Sequence, residues 1–160
     1  MKPAYKPIPT EQRKVIQGMM GERIVAHFLR KEGHVVEESL NPFDNKKDML
    51  VDGLPCEVKT QVPIVVEDSF GVSPSQLPKI KNSHRVYWVS VPTSRNIDEY
   101  AGCIFEMDPA HEKLKGHRWS AHSGREAILF PRKQEAMAIR WVITDEDLLN
   151  QLKELSTSYL

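Results

Sequence analysis

The residues best suited to chemistry in this chain are Asp48 and the run Glu57-Val58-Lys59. In an extended strand, side chains alternate between faces, so Glu57 and Lys59 share one face and Val58 takes the other. Asp48 opens the preceding apolar run, and an antiparallel hairpin turning around Gly53-Leu54 brings it back opposite the Glu57–Lys59 segment. A turn of two or three residues would serve, so the register stays open. Two carboxylates and an ammonium within one side-chain reach suit phosphodiester hydrolysis. Magnesium prefers hard oxygen ligands, commonly one or two carboxylates, and keeps several waters. Such an ion polarises a phosphoryl oxygen and makes hydroxide accessible near neutral pH. A neighbouring lysine can orient the attacking water and offset charge that develops on the phosphoryl oxygens. The plainer alternative is an ion pair on an exposed strand, which contributes only about 0–1 kcal/mol, with Asp48 as turn chemistry after Lys46-Lys47.

The elements that must position these groups follow from periodicity and punctuation. Thr10 can cap a helix running to about Lys31 and stopping at Gly33. Ile24, Val25, Phe28 and Leu29 form its apolar stripe, opposite Arg23, His27, Arg30 and Lys31. Gly21 sits in the middle of that stripe, where a missing side chain lets another element approach closely. Glu22 lies at the stripe's edge, a carboxylate at the border of the core that can add a third acid to the group. His34 to Leu40 reads as a strand, Asn41 to Lys47 as turns, and Asp48 to Asp52 and Cys56 to Gln61 as the hairpin strands. Ser73-Pro74 opens a short helix reaching about Asn82, and Val86 to Val91 is a buried strand. Beyond it, Gly102 to Met107, Glu126 to Phe130 and Met137 to Ile143 look like strands and Asp108 to Gly124 like a long loop. Thr144, followed by three acids that suit the positive end of a helix dipole, opens a last helix with a stripe of Leu148, Leu149, Leu152 and Leu155.

Gly21-Glu22 on an N-terminal helix, then Asp48, then Glu57-Val58-Lys59, in an αβββαβ order, resembles the PD-(D/E)XK nuclease superfamily. Within it the pattern is most similar to the archaeal Holliday-junction resolvases and their restriction-enzyme-like relatives. The resemblance covers roughly residues 10 to 92; residues 93 to 160 match no pattern and are expected to complete a single α/β domain with strands and a helix. It implies a restriction-endonuclease-like core, a mixed central sheet flanked by helices. It also implies Mg2+ or Mn2+ held by Asp48 and Glu57 with the Val58 carbonyl, Lys59 assisting the water, and Glu22 as a supporting or second-metal ligand. The chain departs from the pattern in having Lys47, not proline, before Asp48. The expected function is a metal-dependent DNA endonuclease acting on branched or structured DNA. The alternatives are an exonuclease or end-processing nuclease of the RecB-like branch, and a catalytically silent DNA-binding or assembly module on the same fold. Cutting two strands would favour a two-fold homodimer.

Charge and composition bound the partners. The chain has 160 residues, 22 Lys and Arg against 22 Asp and Glu, and two cysteines, too few for a disulfide framework. A reducing, cytoplasmic setting is the default expectation. No apolar run approaches the roughly 20 residues of a membrane span, and residues 1 to 9, with three prolines, read as an extended arm. Zero net charge does not advertise a polyanion partner, but local charge does. Between Lys113 and Lys133 stand six cations against Glu126, net +5, near Trp119, and Lys79, Lys81 and Arg85 form a second basic patch. Lys113, Lys115, Arg118 and Arg132 are therefore candidate DNA-backbone contacts, as are Lys46 and Lys47 beside the acids; a solvated loop is the bland alternative.

Gln61 continues the Glu57–Lys59 face, where it could touch a phosphate or a metal-bound water, or simply be a surface glutamine. Asp44 is a weaker substitute for Asp48, and Asp52 enters the turn. His111, His117 and His122 are expected on a surface loop, since zinc would want three or four ligands at structured spacing. Cys56 is expected in the core on the strand face opposite Glu57.

Overall fold

The apolar stripe of the first helix docks it. The computed structural model describes residues 9–38, 49–64, 67–92 and 99–156. Helix α1 (Thr10–Lys31) buries Ile24, Val25, Ala26 and Leu29, with Phe28 half-buried beside them. Thr10 is the first helical residue rather than the cap, and Arg13 N–H donates to the Pro9 carbonyl at 3.0 Å. At the other end Gly33 takes a φ of 94°, a left-handed conformation that costs glycine little. Gly33 N–H donates to the Arg30 carbonyl and His34 N–H to the Leu29 carbonyl, both at 3.0 Å, the bond pair of a Schellman motif.

The chain continues through β1 (Val36–Glu37), β2 (Met49–Val51), β3 (Leu54–Gln61) and β4 (Ser69–Val72). A 3₁₀ turn (Pro74–Gln76) leads into α2 (Leu77–Lys81) and then β5 (Arg85–Ser90). After β6 (Cys103–Met107), β7 (His117–Ser120), β8 (Glu126–Pro131) and β9 (Met137–Val142) comes α3 (Glu146–Ser156). The central six-stranded sheet has the order β1-β2-β3-β5-β6-β9. Among the described residues only β3 and β5 pair in parallel, Glu57 beside Val86 and Lys59 beside Trp88, so the sheet is mixed. Parallel neighbours need a crossover, and β4, the 3₁₀ turn and α2 supply it. The protein is thus a mixed α/β fold with a mixed central sheet and a few helices. The β2–β3 turn is two residues, Asp52-Gly53, because Val51 pairs with Leu54. It lies one position earlier than the spacing suggests. Asp52 has a φ of 52°, and its carboxylate accepts from Val35 N–H at 2.9 Å and lies 2.7 Å from His34 Nδ1.

Strand β5 is buried on both faces and divides the interior in two. Tyr87 and Val89 enter a core with α1, Val58 of β3 and Leu152 of α3. Val86 and Trp88 enter the other, with Phe70, Ile80 and Phe130. Trp88 stacks on Phe70 at 5.2 Å between ring centroids and meets Phe130 at 5.8 Å. Helix α3 is tied to α1 through Gln17 Nε2, which donates to the Leu152 carbonyl at 2.9 Å and also bonds Ser156 Oγ. Asp145, not Thr144, caps α3: its carboxylate accepts from Leu148 N–H at 3.2 Å.

Three expectations change here. The stretch Asp108 to Gly124 is not all loop, since it contains β7, and the face of the central sheet opposite α1 is covered mainly by a three-stranded sheet, β4-β8-β7, with the short α2. Strand β7 carries one half-buried residue, Trp119, between exposed neighbours, so it offers too little apolar alternation to announce itself. The strand expected over His34 to Leu40 is, within the described residues, only Val36–Glu37.

Candidate functional site

Strand β3 positions the site through simple alternation. Cys56 and Val58 go into the core beneath α1, and Thr60 meets α1 at Gly21. Glu57, Lys59 and Gln61 take the other face. Among the described residues β2 pairs with β3 only as far as Met49 beside Cys56. Beyond that point a cleft of about 840 Å³ runs along β3, between the N-terminal half of α1 and the β4–α2 crossover. Arg13, Lys14, Glu22, Glu57, Lys59 and Lys79 are the charged residues in its lining. Val58 contributes a buried side chain to the core and is also among the residues lining the cleft.

Glu57 is only 7% exposed and carries two ammonium neighbours. Lys59 Nζ lies 3.3 Å from Glu57 Oε1, and Lys79 Nζ lies 3.6 Å from Oε2. Lys59 Nζ also donates to Gln76 Oε1 at 2.7 Å. This is not the exposed strand pair of the bland alternative. A buried carboxylate stripped of a partner would be left as an uncompensated charge, which is far more costly than losing a surface ion pair. Glu22 faces the same cleft from α1. Burial pushes its carboxyl above the ordinary 4.5, the charges of Glu57 and Glu38 push the same way, and Lys79 and Lys59 oppose them. Glu57 and Glu22 are hard oxygen donors lining one cleft, of the kind a divalent cation takes. The described donors therefore fit Mg2+ or Mn2+ in kind. Among the described residues no group of three His, Cys, Asp or Glu side chains comes together as a metal site. Asp48, expected as the other carboxylate, lies outside the described residues, as do Lys46, Lys47 and Asp44.

Gln61 has a role the sequence did not suggest. Its Nε2 donates to the Gly71 carbonyl at 2.9 Å and its Oε1 accepts from Gly71 N–H at 2.7 Å. The amide thus fastens β4 to β3 and is not held open for a phosphate or water. Gln76 is not anticipated from the sequence, and Lys79 is anticipated only as part of a basic patch, not beside Glu57. Pro74 and Pro78, which bracket Gln76 and fix the local backbone, were the available signal.

The basic stretch behaves differently from its charge count. Arg132 is corrected outright as a surface phosphate contact. It is 8% exposed, its Nε donates to Asp68 Oδ1 at 2.8 Å with Nη2 on the same oxygen, and Nη1 reaches Ser90 Oγ at 3.2 Å. Lys113, Lys115 and Arg118 are exposed, but Lys113 pairs with Glu135 at 3.3 Å and Arg118 with Glu126 at 3.7 Å. Lys133 pairs with Glu99 at 3.6 Å, and His117 Nε2 lies 3.8 Å from Glu67 Oε2. Most of these acids lie outside the segment that made it look strongly positive. Cys56 is buried opposite Glu57 as expected, and burial pushes its thiol up to about 12. No helix among the described residues is long and apolar enough to cross a membrane.

Comparison of the chain with protein-family models, with curated proteins and with solved structures finds no match.

Proposed function

We propose that this protein is a metal-dependent nuclease of the PD-(D/E)XK type that hydrolyses phosphodiester bonds in DNA, acting as an endonuclease on branched or structured substrates. The observation that carries the proposal is the Glu57–Lys59 pair on one strand face, in a cleft that Glu22 also lines. Glu57 and Glu22, with Asp48 and the Val58 carbonyl, would hold Mg2+ or Mn2+. The bound ion would supply the positive charge that polarises a phosphoryl oxygen. Lys59 has three N–H donors, and among the described residues its partners are Gln76 and Glu57. One donor is left to hold the attacking water or a non-bridging phosphate oxygen. Gln76 fixes the direction of that ammonium, which matters because misplacement by about 1 Å can cost on the order of 100-fold in rate. The cleft lining carries four cations against two acids among the described residues, a sign suited to a polyanionic strand.

A second reading has an observation behind it. Two lysines already neutralise Glu57 without any ion, as a silent DNA-binding module on the same fold would require. Incubating the protein with supercoiled plasmid, linear duplex and a synthetic four-way junction, with magnesium or with chelator, separates the two. Magnesium-dependent cutting, strongest on the junction, supports the proposal. Loss from duplex ends alone would move it to the exonuclease alternative, and intact DNA throughout would leave the silent module.

A further inference from the structure

We infer that the face of α1 carrying Lys14 and Gly18 is the helix-side contact of this cleft for DNA. The Lys14 ammonium takes a backbone phosphate, and Gly18 is where the sugar-phosphate chain comes closest to the helix. The inference rests on the nuclease proposal, through DNA as the substrate of this cleft, and deepens it.

Two observations on one helix face carry it. Lys14, Gly18 and Glu22 stand four residues apart, so they lie one above another on α1, and all three line the cleft. A glycine inside a helix is destabilising relative to alanine, and α1 has two, Gly18 and Gly21. At Gly21 the fold accounts for that cost, because a methyl group there would run into Thr60 of β3. At Gly18 nothing among the described residues lies within 4 Å of where a methyl group would stand. A side chain at Gly18 would therefore be tolerated by the protein and would take up room in the cleft. Lys14, one turn earlier, is exposed, and among the described residues its ammonium has no ion pair or hydrogen bond. The other cations of the lining are engaged: Lys59 and Lys79 lie beside Glu57, and Arg13 is buried with partners of its own. A helix rises about 1.5 Å per residue, so Lys14 stands roughly 12 Å from Glu22 along the axis. That exceeds the screening length of about 8 Å at physiological salt. Lys14 thus serves a phosphate flanking the one at the carboxylates.

Gly18→Ala and Gly18→Leu introduce good helix formers, and Lys14→Met keeps the apolar stem while removing the charge. Affinity for a synthetic four-way junction is measured in calcium over a range of salt, Mn2+ affinity by calorimetry without DNA, and stability in urea. Gly18→Ala should raise the urea midpoint yet bind the junction about fivefold more weakly, and Gly18→Leu on the order of 100-fold more weakly, the span expected for carbons added where two surfaces already meet. Lys14→Met should lower the slope of log affinity against log salt by roughly 0.7–0.9, one phosphate contact. Mn2+ affinity of Gly18→Ala and Lys14→Met should stay within about twofold of wild type, since neither change places or removes a charge within the screening length of Glu22. Unchanged junction affinity in both glycine variants, or an unchanged salt slope in Lys14→Met, overturns the contact. So does a fall in Mn2+ affinity that matches the loss of DNA affinity. Wild type that binds the junction but does not cut it in magnesium overturns the nuclease proposal and leaves the contact standing; wild type that binds no DNA overturns both.

Discussion

A methyl group at Gly21 would fall 1.7 Å from Thr60 Oγ1 and 2.9 Å from Thr60 Cβ. The helix carrying Glu22 therefore rests directly on the strand carrying Glu57 and Lys59. Gly21→Ala must force α1 and β3 apart, at a cost of roughly 1–3 kcal/mol, and should weaken Mn2+ binding by moving Glu22 away from Glu57. Gly18, one turn earlier, has nothing within 4 Å of the equivalent position. Gly18→Ala should be more stable by about 0.5–1 kcal/mol. Urea denaturation of the two variants checks both, and a Gly21→Ala protein as stable as wild type would refute the close approach.

Asp48→Asn keeps size but removes a charge that would hold a divalent cation. Hydrolysis should fall by about two orders of magnitude or more, while DNA binding survives or tightens. Lys59→Ala should cost roughly 100- to 1,000-fold in cleavage with a smaller loss of metal affinity. Wild type should be inert in chelator, active in magnesium or manganese, and inhibited by calcium, whose looser coordination positions water poorly. Cleavage rates and Mn2+ titrations on the same preparations are the check. Equal cleavage by wild type and Asp48→Asn would remove Asp48 from the site.

Arg132 and the exposed cations should separate cleanly. Arg132→Ala leaves Asp68 and Ser90 without their guanidinium and should cost about 2–4 kcal/mol of stability. Lys113→Glu with Arg118→Glu should leave the urea midpoint nearly unchanged, because these pairs are exposed. If the double reversal also leaves the salt dependence of DNA binding unchanged, the β7 face lies away from the substrate; a flattened slope would place phosphates there.

The Asp52 carboxylate is held below its ordinary 3.8, first by the Val35 N–H and then by His34. A lowered acid stabilises the fold above its unfolded value, and that stability is lost as pH falls through the folded one. The stability advantage of wild type over Asp52→Asn should therefore be full at pH 5 to 6 (about two units above that ordinary value) and shrink below it. Urea midpoints measured across that range decide it; a difference that does not change with pH would assign the effect to packing.

What was legible in the sequence was whatever depends on local period and punctuation. Helix α1 could be bounded at Lys31 because Gly33 ends it, and Gly21 could be assigned a close approach because it interrupts an apolar stripe. Glu57 and Lys59 share a face because strands alternate. What escaped depends on distant partners. Gln76 and Lys79 reach Glu57 and Lys59 only once the crossover folds back over β3. The positive count over Lys113 to Lys133 falls because Glu135, Glu99 and Asp68 arrive from outside it. Strand β7 needs its neighbour β8 to exist at all.

The amide of Gln61 offers the same donor and acceptor as a peptide group, and it spends both on Gly71. One wall of the cleft is thus latched to the central sheet by a side chain, in addition to the backbone bridge between Ile64 and Ser69. A carboxylate at that position would turn two acceptors toward a carbonyl, so exchanging a single nitrogen for oxygen would unlatch the wall while both apolar cores stayed intact. Glutamine is among the thermolabile side chains. Chemical ageing of the protein by amide hydrolysis there would therefore register at the cleft long before it registered in the fold.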